Sequence, residues 1–156
     1  MLDGRHEYAD SQALKKAQVE SWVKHGPDNA AIEEVQKFGE YIAKTLKKVE
    51  VAPRKTVDES VTTSQIRQVF SKMKIIEAKG GIKEQKQQID FLMLKPFLAY
   101  ATGRHNKTGL ERLKQRLTWA IDAVFAGDKA TESVRFNNFC KLFEAILAYH
   151  RAHGGK

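Results

Sequence analysis

The sequence predicts an all-α fold, a compact helical bundle of about five to six helices. Apolar residues recur at helical spacing along most of the chain rather than in the alternation that strands require. Only three prolines interrupt 156 residues. Three of the apolar stretches begin with a helix N-cap residue, namely Asp28, Thr62 or Thr108.

The first sixty residues predict two helices and a linker. A helix over about residues 10–24 has few apolar anchors and stops at His25-Gly26-Pro27. These anchors are Leu14, Ala17 and Trp22. Asp28 then caps a longer helix that ends near Glu50. Its apolar stripe contains Ile32, Val35, Ile42, Leu46 and Val49. We therefore expect residues 1–60 to form an N-terminal helical extension with a linker over 51–60, and residues 61–156 to form a basic helical-bundle core.

The clearest helix start is the run Thr62-Thr63-Ser64-Gln65, which fits the capping box. We expect the helix to continue to about Lys79 and to end at Gly80-Gly81. Arg67 and Lys74 lie seven residues apart, away from its apolar face. That face contains Ile66, Val69, Phe70, Met73 and Ile76. A further helix is predicted from about Lys83 to Leu94.

The segment from Leu94 to His105 combines an apolar helix face with a basic tip. Pro96 is typical of a helix start or kink, because its φ angle is already close to the helical value. Gly103 is the expected stop. The side chains of residues 104–107 (Arg, His, Asn, Lys) would then lie on a turn that suits contact with phosphate.

Two further helices complete the predicted bundle. The run from Thr108 to Glu111 fits a second capping box and opens a helix that ends at Gly127. Its apolar stripe contains Leu110, Leu113, Leu117, Ile121 and Val124. The last helix covers about residues 132–152. Its apolar arc contains Phe136, Phe139, Leu142, Phe143, Ile146 and His150.

The net charge of +8 is distributed unevenly along the chain. Residues 1–60 contain ten Lys/Arg and eleven Asp/Glu, whereas residues 61–156 contain seventeen and eight. Twelve basic and only four acidic residues lie between 65 and 116. Such a concentration produces a positive field that attracts polyanions. No apolar run approaches the roughly 20 residues of a membrane span, and the acidic N-terminus is unlike a signal peptide. We expect a cytoplasmic protein without membrane contact.

The sequence contains no complete set of catalytic or metal-binding residues. Cys140 is the single cysteine and is expected in the core. His150 and His153 have a spacing that can share a metal, but no third ligand accompanies them, so His150 is expected to be a core histidine. His105 beside Arg104 lacks a partner group for acid-base catalysis. Phosphate-loop, dinucleotide-binding and Asp-x-Asp motifs are absent. We expect no enzyme activity, no metal and no cofactor.

Trp119 is the one helix residue that core packing does not explain. At 100° per residue it projects nearly opposite the Leu110 to Leu117 stripe, on the side of Arg112 and Arg116. It could stack on a base, pack on another subunit, or lie under the N-terminal helices. Burial or subunit contact is favoured, because a lone aromatic is a weak stacking platform.

Three motifs occur in a specific order: TTSQIR from Thr62, LKPFLAYATGR from Leu94 and FCKLFEAILAYH from Phe139. Together they resemble the small subunit of the type III-A CRISPR effector complex, the Csm complex. The resemblance covers about residues 61–153. At one position it differs, because the family leads us to expect a basic residue where Phe97 stands.

The resemblance implies an all-helical, non-catalytic subunit in an antiviral ribonucleoprotein. Several copies would stack head to tail along the backbone subunits that carry the guide RNA, beside the large subunit, and would contact target RNA. Motif position makes Gln65, Arg67, Lys95 and Arg104 candidate RNA-facing residues. Charge and position add Lys74, His105, Arg112 and Arg116. Trp119 is the candidate subunit contact.

Two other functions remain as alternatives. A DNA-binding regulator would use the helix from Thr63 and the Gly80-Gly81 turn as a helix-turn-helix. Against this, the helix is long and the next one is rich in Phe and Met. A small phosphodiesterase would require His105 as its catalytic group.

Overall fold

The computed structural model describes residues 13–156, which contain seven α-helices and one β-hairpin. The helices are α1 (Lys16–His25), α2 (Asn29–Ala43), α3 (Thr63–Ala78), α4 (Gln85–Leu92), α5 (Leu94–His105), α6 (Thr108–Val124) and α7 (Glu132–Ala152). The hairpin pairs β1 (Val49–Ala52) with β2 (Lys55–Val57) in antiparallel register. Short 3-10 turns cover Thr45–Lys47 and Lys129–Thr131. The predicted helical fold class is confirmed. The helix count is six when α4 and α5, separated only by Met93, are taken as one bent element.

Helix α7 lies at the centre of the bundle and packs against α1, α2, α3 and α6. All six residues of its predicted apolar arc are buried. Phe91 of α4 meets Phe136 and Phe139 edge to face, with ring centroids 5.1 Å and 4.9 Å apart. This geometry suits the quadrupoles of the rings. The aromatic cluster fixes α4, and with it the start of α5, against the central helix.

The N-terminal helices pack on α7 and share its core. Trp22 donates its indole N–H to the carbonyl of Asn138 (3.0 Å), and Asn138 donates its amide to the carbonyl of Val23 (3.0 Å). One hydrophobic cluster contains side chains from before and from after residue 60 in the sequence. The domain boundary expected at residue 60 stays a prediction. The predicted first helix is seen from Lys16, with Ala17 exposed rather than buried; its predicted residues 10–12 lie outside the described part.

The capping box of α3 is confirmed. The Thr62 hydroxyl accepts the backbone N–H of Gln65 at 3.1 Å, and the Gln65 side-chain oxygen accepts the backbone N–H of Thr62 at 2.9 Å. Four of the five residues predicted on its apolar face are buried, and Phe70 is partly buried. The helix ends where predicted, since Gly80 and Gly81 adopt φ angles of +99° and +89°.

The region between α2 and α3 differs from the prediction. Helix α2 ends at Ala43 rather than near Glu50, and the expected linker contains the hairpin. The chain returns to α2, where Val61 donates its N–H to the carbonyl of Ile42 at 2.9 Å. Leu46 and Val49 are buried as expected, although from the 3-10 turn and β1. β-branched residues at alternating positions favour the short strands, a signal that the linker interpretation overlooked.

Helix α5 continues past Gly103, so the predicted stop is wrong. Its C-cap is Asn106, in the left-handed conformation with φ 49° and ψ 49°, and the Asn106 N–H bonds to the carbonyl of Thr102 at 2.8 Å. Asparagine tolerates this conformation better than most residues. Pro96 lies in the first turn, where its missing N–H has no helical partner to lose. Arg104 and His105 therefore belong to the last helical turn.

Helix α6 begins without the predicted capping box. Its N-cap is Lys107, whose side chain does not cap the helix. Glu59 satisfies the first turn instead: its carboxylate accepts the N–H of Thr108 (3.1 Å) and its backbone carbonyl accepts that of Gly109 (2.8 Å). All five predicted stripe residues are buried. The helix ends at Val124 rather than Gly127, where Arg135 donates Nε to the Val124 carbonyl at 2.7 Å.

Candidate nucleic-acid interface

Helix α3 separates its polar side chains onto two flanks. Lys72 contacts Phe97 of α5, whereas Lys74 contacts Glu144 of α7. At 100° per residue these two lysines are about 160° apart. Gln65 and Arg67 lie seven residues before Lys72 and Lys74, respectively, and so share their directions. We name these surfaces the Lys72 flank and the Lys74 flank. The predicted RNA-facing residues of α3 are therefore divided between them.

The Lys74 flank contains one engaged and one unengaged cation. Lys74 lies 2.6 Å from Glu77 and 3.4 Å from Glu144, and the hydrogen bond that the Lys74 ammonium donates to Glu77 raises the pKa of Lys74 above its usual value. The positive charge of Lys74 is thus largely paired with these two carboxylates. Arg67 is exposed, and no hydrogen bond or ion pair engages it within residues 13–156. Arg67 is the better phosphate ligand of the two.

Gln65 has a structural role that limits its contact with RNA. Its side-chain oxygen already accepts the N–H of Thr62 in the capping box. Only the side-chain NH₂ group remains to donate outward, and the side chain is half-buried. Gln65 can therefore add one hydrogen bond to a phosphate or sugar oxygen, but it contributes no charge.

The last turn of α5 presents Arg104 and His105 to solvent. The left-handed cap at Asn106 fixes the direction of this tip. In the part of the chain that the structure describes, neither side chain makes a hydrogen bond or ion pair. At the other end of the helix, Lys95 is held 2.5 Å from Asp122 of α6. Lys95 therefore ties α5 to α6, and the available positive charge is at the tip.

The structure places the two arginines of α6 differently from the sequence interpretation. Arg116 is only 2% exposed, donating Nη2 to the carbonyl of Ala13 at 2.9 Å. Its guanidinium also lies 4.8 Å from the Phe38 ring centroid. The charge pattern predicts an exposed Arg116, and its burial against Ala13 and Phe38 corrects that expectation. Arg112 is half-buried beside a polar depression that Glu59, Glu111 and other residues line.

Trp119 is partly buried against the core rather than fully outward. The Arg116 guanidinium covers it at 5.4 Å from the ring centroid. A cation placed over an indole face is a favourable contact. Packing within the chain therefore explains why part of the Trp119 ring is buried, and the exposed part of the ring can contact another molecule.

Phe97 occupies the position where the resemblance led us to expect a basic residue. The Lys72 ammonium lies 4.6 Å from the centroid of its ring. A positive charge therefore reaches this position from α3 rather than from α5 itself. Sequence reasoning missed Lys72, although its position seven residues after Gln65 placed both on one helix flank.

Two of the candidates for chemistry, Cys140 and His150, lie in the core. Cys140 is buried, and burial raises the pKa of its thiol. His150 is fully buried and hydrogen-bonds to Val61, as a core histidine does. Residues 13–156 contain no group of three or more His, Cys, Asp or Glu side chains placed to hold a metal ion. Over the same residues, none of the helices has the length and apolar character needed to cross a membrane.

Comparison with known proteins gives a match to a family model. The model described as Csm2 Type III-A matches residues 29–156. It includes the three motifs and extends upstream to α2, whereas the resemblance noted in the sequence began near residue 61. No curated protein and no solved structure matches the chain.

Proposed function

The chain belongs to the Csm2 type III-A family, the small subunits of the type III-A Csm effector complex, and from this premise we propose that it binds target RNA as a non-catalytic subunit. The complex would recognise its target by base pairing with the guide RNA. The small subunit would then have to hold the RNA backbone without reading its sequence. The family match gives no support to a helix-turn-helix regulator or a phosphodiesterase.

The observation that carries this proposal is a set of three exposed side chains, two of them arginines, that make no hydrogen bond or ion pair among the described residues. Arg67 lies on the Lys74 flank of α3, and Arg104 and His105 lie at the tip of α5. Arginine can bind phosphate through two hydrogen bonds at once. These residues also belong to the region with twelve basic and four acidic residues. Phosphate contact of this kind positions RNA and is indifferent to sequence.

The remaining candidates contribute in lesser ways. Gln65 donates a neutral hydrogen bond, and Lys74 and Lys95 add positive potential beside the carboxylates that hold them. Arg112 belongs to the same basic region. Arg116 stabilises the fold instead of facing RNA. The RNA-binding unit is the basic core over 61–156, and residues 1–60 form its N-terminal extension.

The partners follow from the same proposal. In the cytoplasm, several copies stack head to tail along the backbone subunits that carry the guide RNA, next to the large subunit of the complex. The open part of Trp119 packs against a neighbouring subunit, since aromatic side chains are enriched in interfaces. If so, Trp119→Phe should preserve assembly and Trp119→Ala should weaken it without changing the RNA affinity of the complexes that form. Loss of RNA affinity alone would instead assign Trp119 to base stacking.

The direct test is the double variant Arg67→Ala with Arg104→Ala in the complex reconstituted with guide RNA. Binding of several unrelated matched target RNAs should weaken by similar factors. The slope of log Kobs against log salt should fall by about 0.7 for each phosphate that the variant no longer neutralises. The matched control is Lys24→Ala with Lys48→Ala, which removes two exposed charges from the first sixty residues, outside the basic region. Unchanged RNA retention, or losses that depend strongly on base sequence, would contradict the proposal.

A further inference from the structure

A cleft of about 470 Å³ opens between α3, α4 and α5. Its walls are mainly apolar and include Ile75, Met93, Pro96 and Phe97, with Lys72 and Asp90 as its charged residues. Ile75 is 55% exposed and Met93 58% exposed. A contiguous patch of exposed apolar side chains is typical of a binding surface, whereas single exposed apolar residues are common everywhere. The volume is within the range of small-ligand sites.

The outer face of α5 extends this cleft toward the basic tip. Phe97, Tyr100 and Arg104 follow one another at spacings of three and four residues, so they form one stripe along the helix. Tyr100 is 67% exposed, which is unusual for so large a ring. Phe97 and Arg104 are about 10 Å apart along the helix axis. The stripe therefore joins an apolar wall, an open aromatic ring and a guanidinium that no described residue engages.

The cleft lining contains one cation, Lys72, and one carboxylate, Asp90, and Arg104 adds a second cation beyond the lining. Lys72 is exposed and lies over the Phe97 ring, while Arg104 lies at the far end of the stripe. The cation-π contact restricts the Lys72 side chain near the cleft, which lowers the entropy it must lose when it binds an anion. Asp90 lies among the lining residues. A matching ligand should therefore have a flat ring that packs against the apolar walls and an N–H group that donates to Asp90. It should also carry negative charge on the side that faces Lys72 and Arg104.

We propose that this cleft is a nucleotide subsite that receives one unpaired base of single-stranded RNA. The base enters among the apolar side chains and stacks on the exposed ring of Tyr100, with the Phe97 ring in the cleft wall beside it. The Asp90 carboxylate accepts a base N–H, and it repels phosphate, so the backbone stays outside. Lys72 and Arg104 then neutralise the flanking phosphates. This subsite rests on the proposed function, because it assumes that Lys72 and Arg104 meet RNA.

The first experiment measures target-RNA affinity of the complex reconstituted with guide RNA and full-length variants. Tyr100→Leu should weaken binding by about tenfold, the order of one base-aromatic stack, whereas Tyr100→Phe should bind like the parent. Lys72→Ala should reduce the salt slope by about 0.7. The control Lys129→Ala, which removes an exposed charge after α6, should leave the slope unchanged.

The second experiment locates the base. Target RNAs with 5-iodouridine at successive positions are bound to the complex and irradiated, and crosslinked peptides are identified by mass spectrometry. The subsite requires a crosslink to Tyr100 or Phe97 from a restricted set of positions. Phe97→Leu keeps an apolar wall but removes one ring, and should leave only the Tyr100 crosslink. Absence of any crosslink to α5 would overturn the proposal.

The outcomes separate this inference from the proposed function. If Arg67→Ala with Arg104→Ala weakens RNA binding but Tyr100→Leu and Lys72→Ala do not, the subsite is wrong and the proposed function stands. If Tyr100→Leu releases the subunit from the complex while RNA affinity is unchanged, the cleft binds a protein partner and the subsite is wrong. Unfolding midpoints equal to the parent's show that the exposed-site variants fold. If none of these variants alters RNA binding, both proposals fail.

Discussion

His150 of α7 donates its Nε2–H to the carbonyl oxygen of Val61, 2.6 Å away. A carbonyl can only accept, so the ring must carry a proton on Nε2. The opposite nitrogen, Nδ1, is buried without a hydrogen-bond partner among the described residues. Gly155 covers it so closely that a Cβ there would lie 2.2 Å from Nδ1. The neutral ring fits this environment, and a second proton on Nδ1 would have no acceptor.

The fold should therefore lose stability below neutral pH through His150. Desolvation lowers the pKa of this imidazole below its usual 6.5, although the bond to Val61 opposes the shift. Above the unfolded pKa both states are neutral and stability is complete. As the pH falls through 6.5, the unfolded state binds the proton first and stability declines, by at most about 1.4 kcal/mol per pH unit. Urea unfolding at a series of pH values between 7.5 and 5.5 measures this decline in the free energy of unfolding. His150→Gln, which can still donate but cannot titrate, should show a smaller decline; equal declines would exclude His150 as the source.

Glu59→Ala should destabilise the start of α6. The substitution removes the carboxylate that accepts the Thr108 N–H and that complements the positive end of the helix. Loss of such a cap costs about 0.5–2 kcal/mol in the free energy of unfolding. Glu50→Ala makes the same charge change at an exposed position of β1 and is the control. A similar loss in both variants would show that net charge, rather than capping, is responsible.

Alanine at Gly103 and Gly109 should change stability in opposite directions. A Cβ at Gly103 would meet nothing within 4 Å, so Gly103→Ala should raise helix propensity and stabilise the protein by about 0.5–1 kcal/mol. A Cβ at Gly109 would lie 2.8 Å from the Glu59 carbonyl oxygen and 3.1 Å from the backbone nitrogen of Val61. Gly109→Ala should cost about 1–3 kcal/mol. Thermal unfolding of the two variants side by side tests this, and a stabilised Gly109→Ala would refute the close approach.

Arg116→Ala should reduce stability and leave the salt dependence of RNA binding unchanged. The substitution leaves the Ala13 carbonyl without its 2.9 Å donor and removes the guanidinium that packs on Phe38 and Trp119. Loss of a buried hydrogen-bond partner costs about 1–3 kcal/mol. Denaturant unfolding of the variant measures the loss of stability. A salt titration of RNA binding by the reconstituted complex measures the salt dependence. A reduced salt slope at unchanged stability would return Arg116 to the RNA-facing set.

Local signals in the sequence predicted the features that depend on neighbouring residues. The capping box at Thr62 was predictable because both partners lie within four residues. The apolar arc of α7 was equally visible, since helical periodicity alone places Phe136 and Phe143 on the core side. The left-handed cap at Asn106 was misassigned to Gly103, because glycine is the commoner residue at such a position.

Features that depend on distant residues were not predictable from local pattern. Glu59 caps α6 across 49 residues of sequence, so the nearby threonine suggested a capping box that does not form. Arg116 resembled a surface charge, whereas in the fold it is buried and contacts Ala13 and Phe38. Lys72 and Phe97 are brought together by the packing of α3 on α5. The motifs indicated which family to expect, and tertiary packing determined which of its cations face outward.

The segment around Glu59 has a dynamic consequence. Its backbone bonds to three separate elements: Glu59 to Leu46, Val61 to Ile42, and Gly109 to Glu59. Amide groups secured by one shared segment open together, so their hydrogen exchange should be governed by a single opening free energy. The amides of Val61 and Gly109 should then have equal hydrogen-exchange protection factors, although 48 positions separate them in the chain. The hairpin region and the start of α6 thus behave as one cooperative unit, a foldon assembled from parts of the chain that meet only in the folded state.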